Sequence, residues 1–171
     1  MAEKIGEKET VFSSTIKYAG IFSFADFYKF CYEWIKEEID MDISETKYGE
    51  KLKGDEKGIA VEWIGEKKLT DYFRFDTKVN FEIDNLKNIE IMEGGKKIKM
   101  NEGSVKINVK GILVRDYKGK FEMSAFNKFL RSIYEKWVIP ARIEEYEGKI
   151  AGNCDEFLSQ AKSYLDLEGK R

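Results

Sequence analysis

From Thr10 to Ala19 apolar and polar residues alternate, with Phe12, Ile16 and Tyr18 on one face and Ser13, Thr15 and Lys17 on the other. That is the period of a half-buried strand, and Gly20 is placed to end it. At Ser23 the period changes. Ser23 stands three residues before Asp26 in a variant of the capping box, and Phe24, Phe27, Phe30, Cys31, Trp34 and Ile35 then fall on one helical stripe. Lys29, Glu33, Lys36 and Glu37 occupy the opposite face.

Residues 43–53 are polar apart from Ile43, Tyr48 and Leu52, which predicts an exposed edge strand, and residues 54–58 form a turn. Ile59, Val61 and Trp63 alternate with Ala60, Glu62 and Ile64. The clearest strand follows Lys67 and Lys68. Leu69, Phe73, Phe75, Val79, Phe81 and Ile83 point one way, while Thr70, Tyr72, Arg74, Asp76, Lys78, Asn80 and Glu82 point the other. Asp84-Asn85 reads as a tight turn into a strand over 86–92, and Gly94-Gly95 as a hairpin returning through 96–100. Residues 101–103 turn again. The last strand, 104–117, changes parity at Gly111, which predicts a bulge there.

Ser124 can cap a long helix whose stripe is Phe126, Phe129, Leu130, Ile133, Trp137 and Ala141, with Pro140 inside it as a kink. Gly148 and Gly152 loosen its end. Asn153 can cap a final helix with Phe157, Leu158, Ala161, Tyr164 and Leu165 on its apolar face. The pattern therefore predicts an α+β fold: a curved antiparallel sheet of six to seven strands gripping a long, kinked C-terminal helix. Residues 1–9 form a flexible N-terminus and 10–171 a single domain.

Composition changes this picture mainly by exclusion. The chain of 171 residues contains no His, so the usual transition-metal ligand and the usual general base near neutral pH are both missing. Its two Cys, Cys31 and Cys154, are too few for a disulfide framework and wrongly spaced for zinc, and both read as small buried hydrophobes. Neither a Gly-x-Ser-x-Gly element nor a phosphate-cradling glycine loop occurs. No cofactor is expected, and these absences weigh against catalysis. The N-terminal residues lack the apolar core of a signal peptide, and no apolar run approaches the roughly 20 residues of a membrane span, so a soluble cytoplasmic protein is expected.

Net charge is only −2, but it is unevenly spread. Residues 1–95 carry −7 and residues 96–136 carry +7. Lys96, Lys97 and Lys99 in the hairpin, with Lys106 and Lys110 on the next strand, are candidates for an anion-binding surface, against the alternative of an ordinary solvated face. Exposed Tyr72 adds a possible stacking platform. The acidic pairs Glu37-Glu38, Asp55-Glu56 and Glu144-Glu145 read as solvated faces, since neighbouring helical residues diverge.

The element order, strand, helix, a run of antiparallel strands and a long C-terminal helix over about residues 10 to 150, resembles the helix-grip fold of the Bet v1 and START-like superfamily. It departs from that pattern in having one helix after the first strand and a further helix after residue 152. The resemblance implies a pocket between sheet and C-terminal helix for an apolar ligand such as a sterol, lipid or polyketide. No catalytic pattern carries over. Residues 16–20 leading into Phe22 to Trp34, and residues 139–145, are also similar to a group of small archaeal proteins, a likeness that brings no activity with it.

The inward aromatics Phe12, Trp63, Phe73, Phe75, Phe81, Phe126, Phe129 and Trp137 are the candidates to line such a pocket. They are also large enough to fill the space between sheet and helix as a solid core. Two functions stay open: a module holding an apolar or lipid-like ligand, and a module binding protein, nucleic acid or anionic lipid through the basic surface of residues 96–110 or the edge strand 43–53. Oligomeric state is not legible.

Overall fold

The alternating segments fold into five strands, fewer than the six to seven expected, and two of them are unusually long. In the computed structural model, which describes residues 6–119, 121 and 124–170, β1 (Glu7–Phe22) leads through α1 (Phe24–Trp34) and a π-helical turn (Ile35–Ile39) to β2 (Asp42–Lys53). β3 (Glu56–Lys68), β4 (Phe73–Glu93), β5 (Lys96–Arg115), α2 (Ala125–Ile133), a second π-helical turn (Tyr134–Val138) and α3 (Pro140–Glu168) follow. The strands form one curved antiparallel sheet in the order β1-β5-β4-β3-β2. Of the N-terminal segment expected over 1–9, residues 1–5 lie outside the described residues. Glu7, Lys8 and Glu9 already pair with Arg115, Val114 and Leu113.

The smaller strand count has one cause. The two polar stretches read as turns lie opposite each other in continuous strands: Asp84 pairs with Ser104 and Lys87 with Glu102, one residue out of step. Asn85 takes a left-handed φ of 55°, so the turn-forming residues make a β-bulge. A Cβ at Gly103 would lie 3.0 Å from the Asp84 carbonyl oxygen and 3.1 Å from the Leu86 Cα, so a side chain there would push the facing backbone of the bulge back by a few tenths of an ångström. Beyond the bulge, Lys87–Glu93 and Lys96–Met100 pair only with each other, a two-stranded arm projecting past β1 and β3.

The bulge expected at Gly111 lies instead on the neighbouring strand. Register slips between Thr10 and Phe12 on β1, while Val105, Ile107, Val109 and Leu113 keep one buried parity along β5. Gly111 serves packing. A Cβ there would sit 2.7 Å from Ile150 Cγ2 and 2.9 Å from Cys154 Sγ, so the missing side chain lets α3 lie against β5. Gly111→Ala is expected to cost about 1–3 kcal/mol through this overlap. Urea unfolding should show a lower midpoint at unchanged slope.

The C-terminal region also departs from one kinked helix. Pro140 does not bend a continuous helix; it occupies the first turn of α3, where its missing N–H costs nothing. The residue before it, Ile139, leaves helical geometry at φ −125°, ψ 22° and separates α3 from the turn after α2. Gly148, Gly152 and Asn153 all lie within α3. Ser23 and Ser124 do cap their helices, accepting bonds from the Asp26 and Asn127 amides.

α1 and α3 cover one face of the sheet. Phe27, Cys31 and Ile35 from α1 and its π-helical turn, and Ile150, Cys154, Phe157, Leu158, Ala161 and Leu165 from α3, close over Trp63, Phe75, Val79, Phe81, Ile107 and Leu113. Large apolar side chains buried this way contribute about 1.5–3 kcal/mol each. Burial pushes the Cys154 thiol up to about 12, and the Cys31 thiol moves the same way, so both sulfurs act as small apolar groups. The other face is polar, crossed by Lys47 and Lys78 to Glu62 and by Lys106 to Glu82.

Candidate functional site

α2 is turned inside out. The stripe expected to face the sheet points away from it: Phe126, Phe129 and Trp137 are 66, 59 and 72% exposed, and Leu130 and Ile133 are exposed as well. A surface helix normally buries its apolar stripe and solvates its charged one. Here the positions rotated on average about a third of a turn from the stripe, Asn127, Arg131, Tyr134 and Glu135, are the ones partly buried.

The reason lies at the end of the sheet beneath it. Arg115, the last residue of β5, extends its guanidinium to Glu9 on β1, to Glu135 at 3.5 Å and to Glu147 on α3 at 3.7 Å. Tyr72 donates its hydroxyl hydrogen to the same Glu135. Arg131 completes the attachment, 3.9 Å from Glu7 and 4.0 Å from the buried Asp116. Asp116 in turn accepts a bond from the Phe121 amide at 3.0 Å. Tyr134, in the π-helical turn after α2, adds two ring contacts, edge-on to Tyr72 at 5.6 Å and stacked on Phe121 at 6.3 Å.

This ion-pair cluster is electrically tense. Partial burial, then the nearby Glu9 carboxylate, push the Glu147 carboxyl above its ordinary range, with Arg115 pulling it back. Burial and the bond to Glu135 likewise raise the Tyr72 phenol. Charge pairs of this kind position an element without necessarily stabilising the fold, because desolvation offsets the attraction.

No family model, curated protein or solved structure matches the chain.

The eight aromatics expected to line one pocket separate into two groups. Trp63, Phe73, Phe75 and Phe81 are buried under α1 and α3, and Phe12 is half-buried at the same core. Phe126 and Phe129 belong to the exposed face of α2, and Trp137 continues that face on the π-helical turn after it. Within the buried group the Trp63 and Phe81 rings meet at 4.7 Å and Tyr28 and Trp63 at 5.0 Å, while the Trp63 indole donates to the Tyr28 hydroxyl at 3.0 Å.

The five lysines are not gathered either. Lys96, Lys97 and Lys99 sit on the projecting arm, where Lys96 lies across from Glu93 and Lys99 across from Glu90. Lys106 and Lys110 lie on the polar face of the sheet, Lys106 at 3.5 Å from Glu82. Fourteen residues of extended strand, about 46 Å, separate Lys96 from Lys110. Tyr72, expected as an exposed stacking platform, is half-buried under α2. The edge strand is where it was expected, with Tyr48 and Leu52 exposed on β2.

Arg115, Arg131, Glu135 and Glu147 are the residues that sequence reasoning passed over. One signal was available: Arg131 and Glu135 are four apart on the helix face opposite the aromatic stripe. Periodicity reports that a helix has two faces; it does not report which one docks.

Proposed function

We propose that this domain is a binding module that works at its surface, through the outward apolar face of α2. The observation that carries the reading is the inverted docking of that helix: its charged side is fastened to the sheet by Arg115, Asp116 and Glu7, and its aromatic side is presented to the surroundings. Contiguous exposed apolar patches on folded proteins mark interaction sites. The enclosed-ligand reading implied by the helix-grip resemblance asks for space behind the sheet. The rings of Trp63, Phe81, Tyr28 and Phe27 occupy that region in mutual contact, and the helix stripe that would close a pocket faces outward.

The test uses an apolar fluorescent dye such as anilinonaphthalene sulfonate. Its signal should fall several-fold in Phe129→Glu and in Trp137→Glu, with melting temperatures within about 2 °C of the parent, because both side chains are exposed. A signal that survives both changes and instead responds to Phe75→Ala would move the site behind the sheet.

A further inference from the structure

The surface reading leaves the chemistry of the partner open, and the charges around the stripe narrow it. We propose that α2 is a membrane-interface helix. It lies flat in the headgroup layer of an anionic lipid surface, with Phe126, Phe129, Leu130, Ile133 and Trp137 among the acyl chains and Lys128 and Lys136 against the phosphates. The inference rests on the surface reading above and gives it a partner.

Three observations support it. The first is the shape of the amphipathicity. Five large apolar side chains occupy one arc of the stretch 125–138, whose other residues apart from Ala125 and Val138 are polar, and Trp, Phe and Leu beside Lys is the composition that settles peptides at the acyl boundary without crossing it. No helix among the described residues is long and apolar enough to cross a membrane.

The second is the sorting of charge. The only acid between Ser124 and Val138 is Glu135, and it is turned inward to Arg115 and Tyr72. Lys128 and Lys136 are the exposed ionic groups of the same stretch, so this helix presents cations without competing anions. Lys136 holds its ammonium 5.4 Å from the centre of the Trp137 ring. An indole with a cation over its face suits the level where acyl chains meet phosphate.

The third is pre-organisation. Interfacial peptides commonly order as they bind and lose affinity to that cost, whereas α2 is already capped by Ser124 and fastened along its polar side.

A second copy of the chain fits this face less well. α2 with its π-helical turn spans 14 residues, about 21 Å long and 10 Å wide, far short of the roughly 800 Å² per partner of a stable interface. Antiparallel pairing of two such stripes would also bring Lys128 alongside the Lys136 of the other copy, like charge against like. A membrane has neither difficulty.

The experiment is co-flotation of the full chain with vesicles of phosphatidylcholine alone and of phosphatidylcholine containing about a third phosphatidylglycerol. The chain should float with the mixed vesicles, at least about tenfold more strongly than with the neutral ones, and raised salt should release it. Tryptophan emission should shift to the blue on binding, and Trp137→Phe should remove the shift. Phe129→Glu should abolish flotation, and the double change Lys128→Glu with Lys136→Glu should weaken it about tenfold or more, both at unchanged circular dichroism and melting temperature. Equal binding to neutral and anionic vesicles would overturn the proposal. So would absent flotation, and the dye then separates two failures: dye binding at α2 without flotation leaves the surface reading standing with another partner, and loss of both removes it. A dimer in sedimentation that Phe129→Glu dissolves would assign the face to a second copy instead.

Discussion

Phe81→Ala is expected to destabilise the fold by about 3–5 kcal/mol, and Phe129→Ala by less than about 0.5 kcal/mol, although both remove the same ring. Phe81 is 2% exposed, with the rings of Trp63, Tyr28 and Phe27 at 4.7, 6.2 and 6.5 Å. Its removal forfeits transfer energy and leaves a void among side chains that cannot close over it, because they belong to strands and a helix fixed by their own bonding. Phe129 loses almost nothing that folding had gained. Urea unfolding of the two variants against the parent measures the contrast. A cost below about 1.5 kcal/mol at Phe81 would mean that its ring borders open space, since a wall lacking neighbours on one side gives up few contacts. That outcome would restore the enclosed-ligand reading.

The parts of the fold that could be read from the sequence are those that periodicity alone determines. Strand parity from Phe73 to Ile83 is an example: each predicted inward residue is buried, and Arg74, Lys78 and Glu82 lie on the other side. The α1 stripe is another, with Phe27, Cys31 and Ile35 fully buried. Turn chemistry misled where it is degenerate. Asn in the left-handed region serves a hairpin or a bulge equally well, and at Asn85 the choice depends on Gly103 of the next strand, a partner found only in the register. Gly111 carries the same lesson. Its small size answers to Ile150 and Cys154, some forty residues further along the chain.

The candidate site was half legible. Phe126, Phe129, Leu130, Ile133 and Trp137 stand out as one stripe in the sequence, and so does the positive charge of residues 96–136. What the sequence does not contain is the direction of docking. An apolar stripe predicts burial because burial is the usual outcome, and here ion pairs contributed by Glu7, Glu9, Arg115, Asp116 and Glu147 reverse it. Those partners are scattered over the chain and converge only after β1 and β5 have paired along their length, which brings Glu7 opposite Arg115. The lysines singled out by composition were diluted by the same sheet, which spreads neighbours in sequence along a strand and sets acids across from them.

Removal of Arg115 should therefore have the largest effect of any polar substitution in the region. Its side chain is only 17% exposed and is the shared cation of Glu9, Glu135 and Glu147. Arg115→Ala leaves three carboxylates at the end of the sheet without that cation, at a cost of about 1–3 kcal/mol, below that of a fully buried pair because Glu9 and Glu147 are 47 and 33% exposed. The pH dependence identifies the cause. In the parent, the Glu147 carboxyl is already raised by partial burial and by Glu9, and Arg115 is the group that lowers it. A raised carboxyl in the folded state means the folded chain binds more protons than the unfolded one, so its contribution is fully present below the ordinary Glu range and is lost as pH rises through the raised value. Without Arg115 the carboxyl rises further and the loss grows. The deficit of Arg115→Ala relative to the parent should thus be largest near neutral pH and shrink below the ordinary Glu range, where the Glu147 carboxyl is protonated in both states. Arg115→Ala combined with Glu135→Gln and Glu147→Gln should recover much of the lost stability at neutral pH. A deficit that is independent of pH, and unrelieved by the two amides, would mean that Arg115 acts through packing and that α2 is held in its inverted orientation by something other than charge. Hydrogen exchange at the α2 amides supplies the functional counterpart: in Arg115→Ala they should exchange faster while those of α3 beyond Ile150 keep their protection, because α3 is held by the apolar core and α2 chiefly by the ion-pair cluster.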